Sequence, residues 1–484
     1  MRGGLVNFQF IRPRSIGVSS LRGKPYYTVA SVELGNTTTK CILMTTNLQT
    51  AEVFELAKEV RMTRSVRPPR VGEQVFGKTL VGVELTREAV TDLVRDVILA
   101  AVASARIDLK TDVHFVVRST GVTAGFSTPE EVDELVRALA EGCLQAGAPT
   151  RSMTAAMSED ALPPSLRDYT WLRKVYFDGA IASSLPPSTT EIVANEMEGE
   201  LVTAGIKGAV KGSGMDFRNP VMTLDFGTTL AGRVTDNSYP YARTIGSFAG
   251  LAGAIPDAIV RGSGLVSRED GCALDLPNTP STFRVAVDSE WVESAERMIR
   301  VEPVPVGVNR FGTVPVNPKA AAEAGVTMIG VDVGTDGSDL CRLEELGAAI
   351  MAEHDSRYLL AVVDLVQTAT VQRIVTLASQ NGLVMQDTSL GITGRAATTG
   401  RKPELIAGSL RLPDGTKWTD SHQLVFVEDG LAIGAAVAAR CMNSMGTVEH
   451  PMGGRRGDRC IMAARMKLQS DRQSGTRHDA GSDA

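Results

Sequence analysis

Ser31-Val32-Glu33-Leu34-Gly35-Asn36-Thr37-Thr38-Thr39-Lys40 joins a run of strand formers, Tyr26 to Val32, to another, Cys41 to Thr45. An acid ends the first strand, and a Gly and three hydroxyls follow in a tight turn. Such a turn offers backbone N–H groups and Thr hydroxyls to a phosphate, a carboxylate to a metal ion, and a Lys to developing charge. A Gly-Asn-Thr turn between two strands is also an ordinary hairpin. The phosphate reading gains weight from a second copy, Met222-Thr223-Leu224-Asp225-Phe226-Gly227-Thr228-Thr229-Leu230, with the same order of strand, acid, Gly, Thr-Thr and strand. Two regions built alike point to an internal duplication.

The chain has 484 residues, 43% of them apolar and 22% charged, a composition of ordinary globular domains and a length for two or three of them. A formal net charge of -6 argues against bulk binding to nucleic acid or an anionic membrane. No continuous apolar run approaches the roughly 18 residues of a membrane span. The first residues carry Arg2, Arg12, Arg14 and Arg22 without a continuous apolar core, and are expected to form an arm rather than a signal peptide. The six cysteines are scattered with no C-x-x-C pair, which fits reduced thiols in a cytoplasm rather than a disulfide framework or a zinc ribbon. His114, within a Val-Phe-Val-Val context, reads as a strand residue rather than a ligand.

Outward from the first turn, strands are expected at 27–34, 40–47 and 51–60. Residues 61–85, with Arg61, Arg64, Arg67 and Arg70 among prolines and glycines, form either a solvated connection or a basic rim beside an anionic ligand. Thr86 is placed to cap a helix in which Val90, Leu93, Val94, Val97, Ile98 and Ala101 recur at helical spacing. A buried strand, 113–118, leads to a Gly- and hydroxyl-rich loop, and Thr128-Pro129-Glu130-Glu131 opens a helix to about Ala146. Residues 149–188 are irregular, and 187–191 opens the next helix, through Ala204. Beyond the second turn, strands are expected at 221–225 and 229–235, a third near Tyr241, and a helix starting in the small residues of 246–253. After an irregular stretch at 265–322, a buried strand at 326–333 enters Gly334-Thr335-Asp336-Gly337-Ser338-Asp339, either a plain connection or a phosphate site at a helix start. Helices at 340–352 and 359–379, a third glycine-rich loop at 390–400, a strand at 422–427 and a helix of very small residues at 428–439 complete the pattern. The last ~30 residues read as a flexible tail.

Five stretches in this order resemble the actin-like ATPase superfamily of sugar kinases, Hsp70 chaperones and actin. Residues 33–40 correspond to its first phosphate motif, 118–126 to its first connecting motif and 225–229 to its second phosphate motif. Residues 391–400 correspond to its adenosine motif and 429–439 to its second connecting motif. Within the superfamily the chain is similar to the ATP-dependent activators of redox and corrinoid enzymes. It shares with the 2-hydroxyacyl-CoA dehydratase activators an acid-x-Gly-x-Thr-x-x-Lys opening and Thr190-Glu191-Ile192. As a whole it resembles the archaeal methanogenesis marker protein 14 family. It departs from the superfamily at Glu33, where Asp is usual, and at Thr393-Gly394, where Gly-Gly is usual. The dehydratase activators hold an iron–sulfur cluster through a Cys after the second phosphate motif. Residues 246–264 contain no Cys and Cys272 stands alone, so no cluster is expected.

The resemblance implies an α/β protein of two ribonuclease-H-like halves flanking a nucleotide cleft. These would be 26–215, with an insertion at about 149–188, and 216–445, with an insertion at about 265–322. An arm at 1–25 and a flexible tail at 446–484 complete the expected layout. It implies ATP and Mg²⁺, with Glu33 and Asp225 holding the metal and orienting water. Gly35, Asn36, Thr37, Thr38 and Lys40 would hold phosphate together with Gly227, Thr228 and Thr229, while Gly391, Thr393, Gly394 and Arg395 would cover the nucleoside. The implied role is an ATP-binding, ATP-hydrolysing activation or assembly factor for a methanogenesis enzyme or its maturation machinery, in the cytoplasm, with a homodimer left open. Two alternatives stand beside it. One is a small-molecule kinase with Asp225 or Asp332 as the catalytic Asp beside a substrate hydroxyl; the other is a nucleotide-binding scaffold without catalysis.

Overall fold

The computed structural model describes residues 8–21, 25–121, 126, 129–153, 196–238, 242–276 and 285–444. The predicted Thr128 cap, most of the 149–188 insertion, Thr190-Glu191-Ile192 and the tail lie outside these residues.

Two large sheets organise the described chain. The smaller contains β2 (Arg14–Ser15), β3 (Tyr26–Leu34), β4 (Thr38–Asn47), β5 (Val53–Met62) and β8 (Phe115–Thr120), in the order β2-β5-β4-β3-β8. A small hairpin, β6 (Val75–Lys78) and β7 (Glu84–Thr86), stands apart from it. The larger sheet contains β1 (Phe8–Ile11), β9 (Val221–Phe226), β10 (Leu230–Thr235), β11 (Thr244–Gly250), β12 (Ile299–Pro303), β15 (Thr327–Val333), β16 (Ser389–Thr393) and β17 (Leu424–Val427). Its order is β1-β17-β16-β9-β10-β11-β15-β12, and a second small hairpin pairs β13 (Arg310–Phe311) with β14 (Val314–Pro315). Both sheets contain one pattern. A strand ending in acid-x-Gly pairs antiparallel with its successor, that one pairs antiparallel with the third, and the first pairs parallel with a strand arriving after a crossover. The duplication read from the two turns is thus present in the topology.

The arm is divided between the sheets. β1 adds parallel to β17 and β2 adds parallel to β5, with only Arg12 and Pro13 between them. Two of the arginines of residues 61–85 are neither solvated nor free for a ligand, but held in ion pairs. Arg67 is bidentate to Glu73, at 2.6 and 2.7 Å, and reaches Asp92 at 3.1 Å, while Arg64 is bidentate to Asp275. Thr86 caps the helix Arg87–Ala105 as expected, its side chain accepting the Ala89 N–H at 3.2 Å.

The predicted helix at 246–253 is strand β11; a helix begins only at Ala254. The small residues serve a central strand flanked by β10 and β15. A Cβ on Gly250 would stand 2.0 Å from the Val331 carbonyl oxygen and one on Gly246 2.9 Å from Leu383, so bulk is excluded on the sheet.

One core covers a face of the large sheet with the helices Ala254–Gly262, Leu340–Glu353 and Ser356–Gln380; another joins β3, β4 and Ala57 of β5 to Arg87–Ala105 and Pro129–Gln145. A third takes residues from both sheets, Val29, Ile42 and Val117 with Val221, Val425 and Val427, around the helices Glu196–Ala209 and Gly430–Ser444. These two helices cross at glycines. A Cβ on Gly205 would lie 1.8 Å from the Gly430 carbonyl oxygen, and one on Gly434 1.8 Å from that of Leu201. That contact accounts for the small residues of the last helix. Ser356–Gln380 is long and apolar enough to cross a membrane by length and composition, but Leu359, Val362, Val366, Val371 and Ile374 are buried in the core.

Candidate functional site

The two acid-Gly-Thr turns meet. Thr37 Oγ1 and Thr228 Oγ1 are 2.8 Å apart in a hydrogen bond. The turns border a cavity of about 680 Å³, which is also lined by Glu33, Lys40, Glu198, Asp225, Thr393, Gly394, Arg395 and Asp429. Thirteen of the fourteen residues singled out from sequence line it: Glu33, Gly35, Asn36, Thr37, Thr38, Lys40, Asp225, Gly227, Thr228, Thr229, Thr393, Gly394 and Arg395. Gly391 does not. It lies inside β16, where a Cβ would come within 2.7 Å of Ile206, so it makes room for the helix Glu196–Ala209.

Local bonding fixes the first turn. The Gly35 N–H donates to the Thr38 carbonyl at 3.0 Å, and Thr63 closes it from outside through Oγ1 to the Gly35 carbonyl at 2.7 Å and N–H to that of Thr37 at 2.9 Å. Asn36 is committed to structure: Nδ2 donates to the Gly121 carbonyl at 2.8 Å and Oδ1 accepts the Leu80 N–H at 3.0 Å. The second turn is tied to the start of the helix Ala254–Gly262, because the Gly227 and Thr228 carbonyls accept the N–H groups of Gly253 and Ala254. Among the described residues, the N–H groups of Asn36, Thr37, Gly227 and Thr228 meet no acceptor. At the end of β16, Gly394 has φ +86° and its Cβ position would fall 2.4 Å from Asp225 Oδ1, so only glycine lets this loop pass the acid.

Charge at the floor of the cavity is concentrated and buried. Glu33 and Lys40 are directly opposed in the β3–β4 ladder, and Lys40 Nζ donates to Glu33 Oε2 at 3.1 Å. The longer reach of Glu relative to Asp is thus used on Lys40. Burial opposes the Lys40 charge, but Glu33 and Asp429 outweigh it and hold the ammonium above its usual range. Glu198, which the sequence reading passed over, is in hydrogen-bonding contact with Asp225. Burial, then the Glu33 carboxylate, push Asp225 up to about 7, with Lys40 opposing. Burial, then Asp225 and Glu33, push Glu198 well above the carboxylate range. Burial and mutual repulsion therefore disfavour a second negative charge on this pair. Glu198 is only 8% exposed, and its Oε2 meets no donor among the described residues. Its signal in the sequence was placement. At i, i+3, i+4 and i+8 with Leu201, Val202 and Ile206, it falls on the apolar face of its helix.

Further along the cavity, Asp364 accepts the Arg401 N–H at 2.8 Å and pairs with buried Lys402 at 2.8 Å, fixing the 399–402 bend. Asp332 is not free to act as a catalytic acid. It accepts N–H groups from Val333, Asp336 and Gly337 and pairs with Arg300, which makes it the anchor of the Gly334 loop. The donors of that loop are spent on Asp332 and on Ser338 Oγ rather than offered to a phosphate. Among the described residues no group of three or more His, Cys, Asp or Glu stands at metal-cage spacing. Cys272 lies beside Asp257, and burial pushes its thiol up to about 12.

The site so built is an acid-floored cleft between paired Gly-Thr turns on an α/β fold. The chain belongs to the family described as uncharacterized protein conserved in archaea (DUF2114), which matches residues 26–469. An uncharacterized protein of Methanocaldococcus jannaschii is 51% identical over 463 residues, covering 96% of this chain and 95% of the relative. One of Methanothermobacter thermautotrophicus is 51% identical over 458 residues, covering 94% and 85%. Among solved structures, a reductive activator for corrinoid, iron–sulfur protein aligns at TM-score 0.36 and 11% identity over 92% of this chain, which spans 62% of that structure's length. The ROK hexokinase of Thermus thermophilus aligns at 0.32 and 11%, over 85% of this chain and 96% of its own.

Proposed function

We propose that this protein binds ATP with Mg²⁺ in the cavity and hydrolyses it slowly, as an activation or assembly factor for a partner enzyme. One observation carries the reading: two turns from repeated hairpins meet through Thr37 and Thr228 over a buried carboxylate cluster. The repeated strand pattern supports two ribonuclease-H-like halves, about 26–215 and 216–445, flanking the cleft. The metal fits the donor set. Asp225 and Glu198 are buried hard oxygen donors, and Glu198 Oε2 has no partner of its own, a setting suited to Mg²⁺ held through one or two carboxylates and water. The metal would neutralise charge on the phosphate oxygens.

The chain's own residues do the rest. The unused N–H groups of Asn36, Thr37, Gly227 and Thr228 hold phosphate oxygens from both sides. Lys40, kept charged by Glu33 and Asp429, balances negative charge there. Asp225 orients the attacking water and takes up its proton, with Glu198 beside it as the second donor to the metal. Thr393, Gly394 and Arg395 form the nucleoside wall. The resemblance to the methanogenesis marker family directs the partner to a methanogenesis enzyme or its maturation machinery.

The test is phosphate release from ATP with Mg²⁺, followed beside a search for phosphorylated small molecules in a cell extract. Release that a protein fraction stimulates supports the reading; a phosphorylated product transfers it to a kinase. Glu198→Gln, which keeps the neutral form's shape, is expected to fold normally and to lose roughly 10²-fold in turnover together with part of its Mg²⁺-dependent ATP affinity. Unchanged turnover would remove Glu198 from the mechanism.

A further inference from the structure

Arg64 was singled out in the sequence only as part of a basic stretch, and the proposed chemistry does not use it. It sits immediately after Thr63, the residue that closes the first turn. Its guanidinium crosses to the other sheet's side. Nη1 and Nη2 donate to the Asp275 carboxylate at 2.9 and 2.5 Å, and Nη1 also donates to the Asp270 carbonyl at 3.0 Å. Asp275 is itself oriented, accepting the Cys272 N–H at 2.9 Å. The neighbouring Ala273 N–H donates to Asp257 Oδ1 at 2.8 Å. Asp257 is buried in the first turn of the helix Ala254–Gly262, whose start is bonded to the Gly227 and Thr228 carbonyls.

These bonds form a ring. The first turn is held by Thr63, Thr63 is followed by Arg64, and Arg64 holds Asp275. The 270–276 loop is held by Asp257, Asp257 rides on the helix tied to the second turn, and the second turn meets the first through Thr228 and Thr37. Ala273, Leu274 and Leu276 of the loop line the same cavity as the turns. An occupant therefore touches the loop, and spreading the turns loads the ion pair.

We propose that the Arg64–Asp275 pair is the release latch of the cavity: it keeps the 270–276 loop shut over the occupant and must open before the occupant leaves. A bidentate Arg–carboxylate pair suits the task because it is directional and yet breaks as one unit. The part concerning nucleotide rests on the ATP reading; the closure itself does not.

Hydrogen exchange on the ligand-free full chain tests the closure. In Arg64→Ala the amides of 271–276 are expected to exchange at least about tenfold faster, with β3 and β4 amides unchanged. Arg64→Lys, which keeps the charge and leaves the Cys272 N–H bond to Asp275 intact, is expected to recover at least half of the lost protection, and Arg64→Asp to recover none. Unchanged exchange in Arg64→Ala overturns the latch. If Arg64→Ala loses its melting transition, Arg64→Lys decides: recovered protection supports the latch and continued loss overturns it. With Mg²⁺ present, release of a fluorescent ATP analogue is expected to be roughly tenfold faster in Arg64→Ala. If the analogue binds neither protein, the nucleotide reading fails while the exchange result still decides the latch.

Discussion

Asp225→Asn is expected to abolish Mg²⁺-dependent ATP turnover, with a loss on the order of 10²–10³-fold, and at the same time to raise the melting temperature at pH 8. Both follow from one environment. Asp225 is 6% exposed, and burial and the Glu33 carboxylate move it from an ordinary 3.8 to about 7. For an acid raised on folding, the stabilising contribution is fully present below the unfolded value of 3.8 and is lost as pH rises through about 7. Above pH 7 the site must therefore hold a charge that burial and Glu33 disfavour, at a stability cost shared with Glu198. Asn carries no such charge. The variant should melt several degrees above the wild type at pH 8, with the gap narrowing by roughly half at pH 5. Adding Mg²⁺ with ATP should raise the wild type and leave the variant where it was. Melting curves at the two pH values, with and without Mg²⁺ and ATP, read all of this. A variant less stable than wild type at pH 8 would mean that Asp225 is a structural acid.

The second large effect concerns the scaffold. Gly434→Ala is expected to cost at least about 4 kcal/mol, because its Cβ would stand 1.8 Å from the Leu201 carbonyl oxygen, and a backbone cannot yield as a side-chain tip does. The helix carrying Gly434 packs with Glu196–Ala209 between residues of both sheets, so spreading the pair disturbs Glu198 as well. Gly408→Ala supplies the control. It too is helical, a Cβ there meets nothing within 4 Å, and the change should be neutral or stabilising by up to about 1 kcal/mol. Chemical denaturation of the two variants beside the wild type separates crowding from helix propensity. Equal stabilities would contradict the close crossing.

The hairpins were legible because their signal is local: alternating strand formers, an acid, a glycine and two threonines in sequence, twice. Topology added what no local pattern holds, that the turns from residues 35–38 and 227–229 meet. The misreadings share a cause. The small residues of 246–253 look like a close-packed helix start, but what they approach is distant in sequence: Gly250 the backbone of β15, Gly246 the side chain of Leu383. Gly391 looks like part of a glycine loop, yet its absent side chain makes room for Ile206. Asp332 looks like a spare acid until the loop amides that fold back onto it are seen. Glu198 was the costliest omission, since a single Glu on an apolar helix face has no motif around it. Only the neighbouring Asp225, reached through the fold, gives it meaning.

The most direct measurement of the central claim is an isothermal titration of ATP into the full chain in the presence of Mg²⁺. The account predicts one site per chain with a Kd of roughly 1–100 µM, about 5.5–8 kcal/mol of binding free energy, lost when Mg²⁺ is chelated. No heat of binding at millimolar ATP would contradict it, and the paired turns would then be a structural joint between the sheets rather than a phosphate clasp.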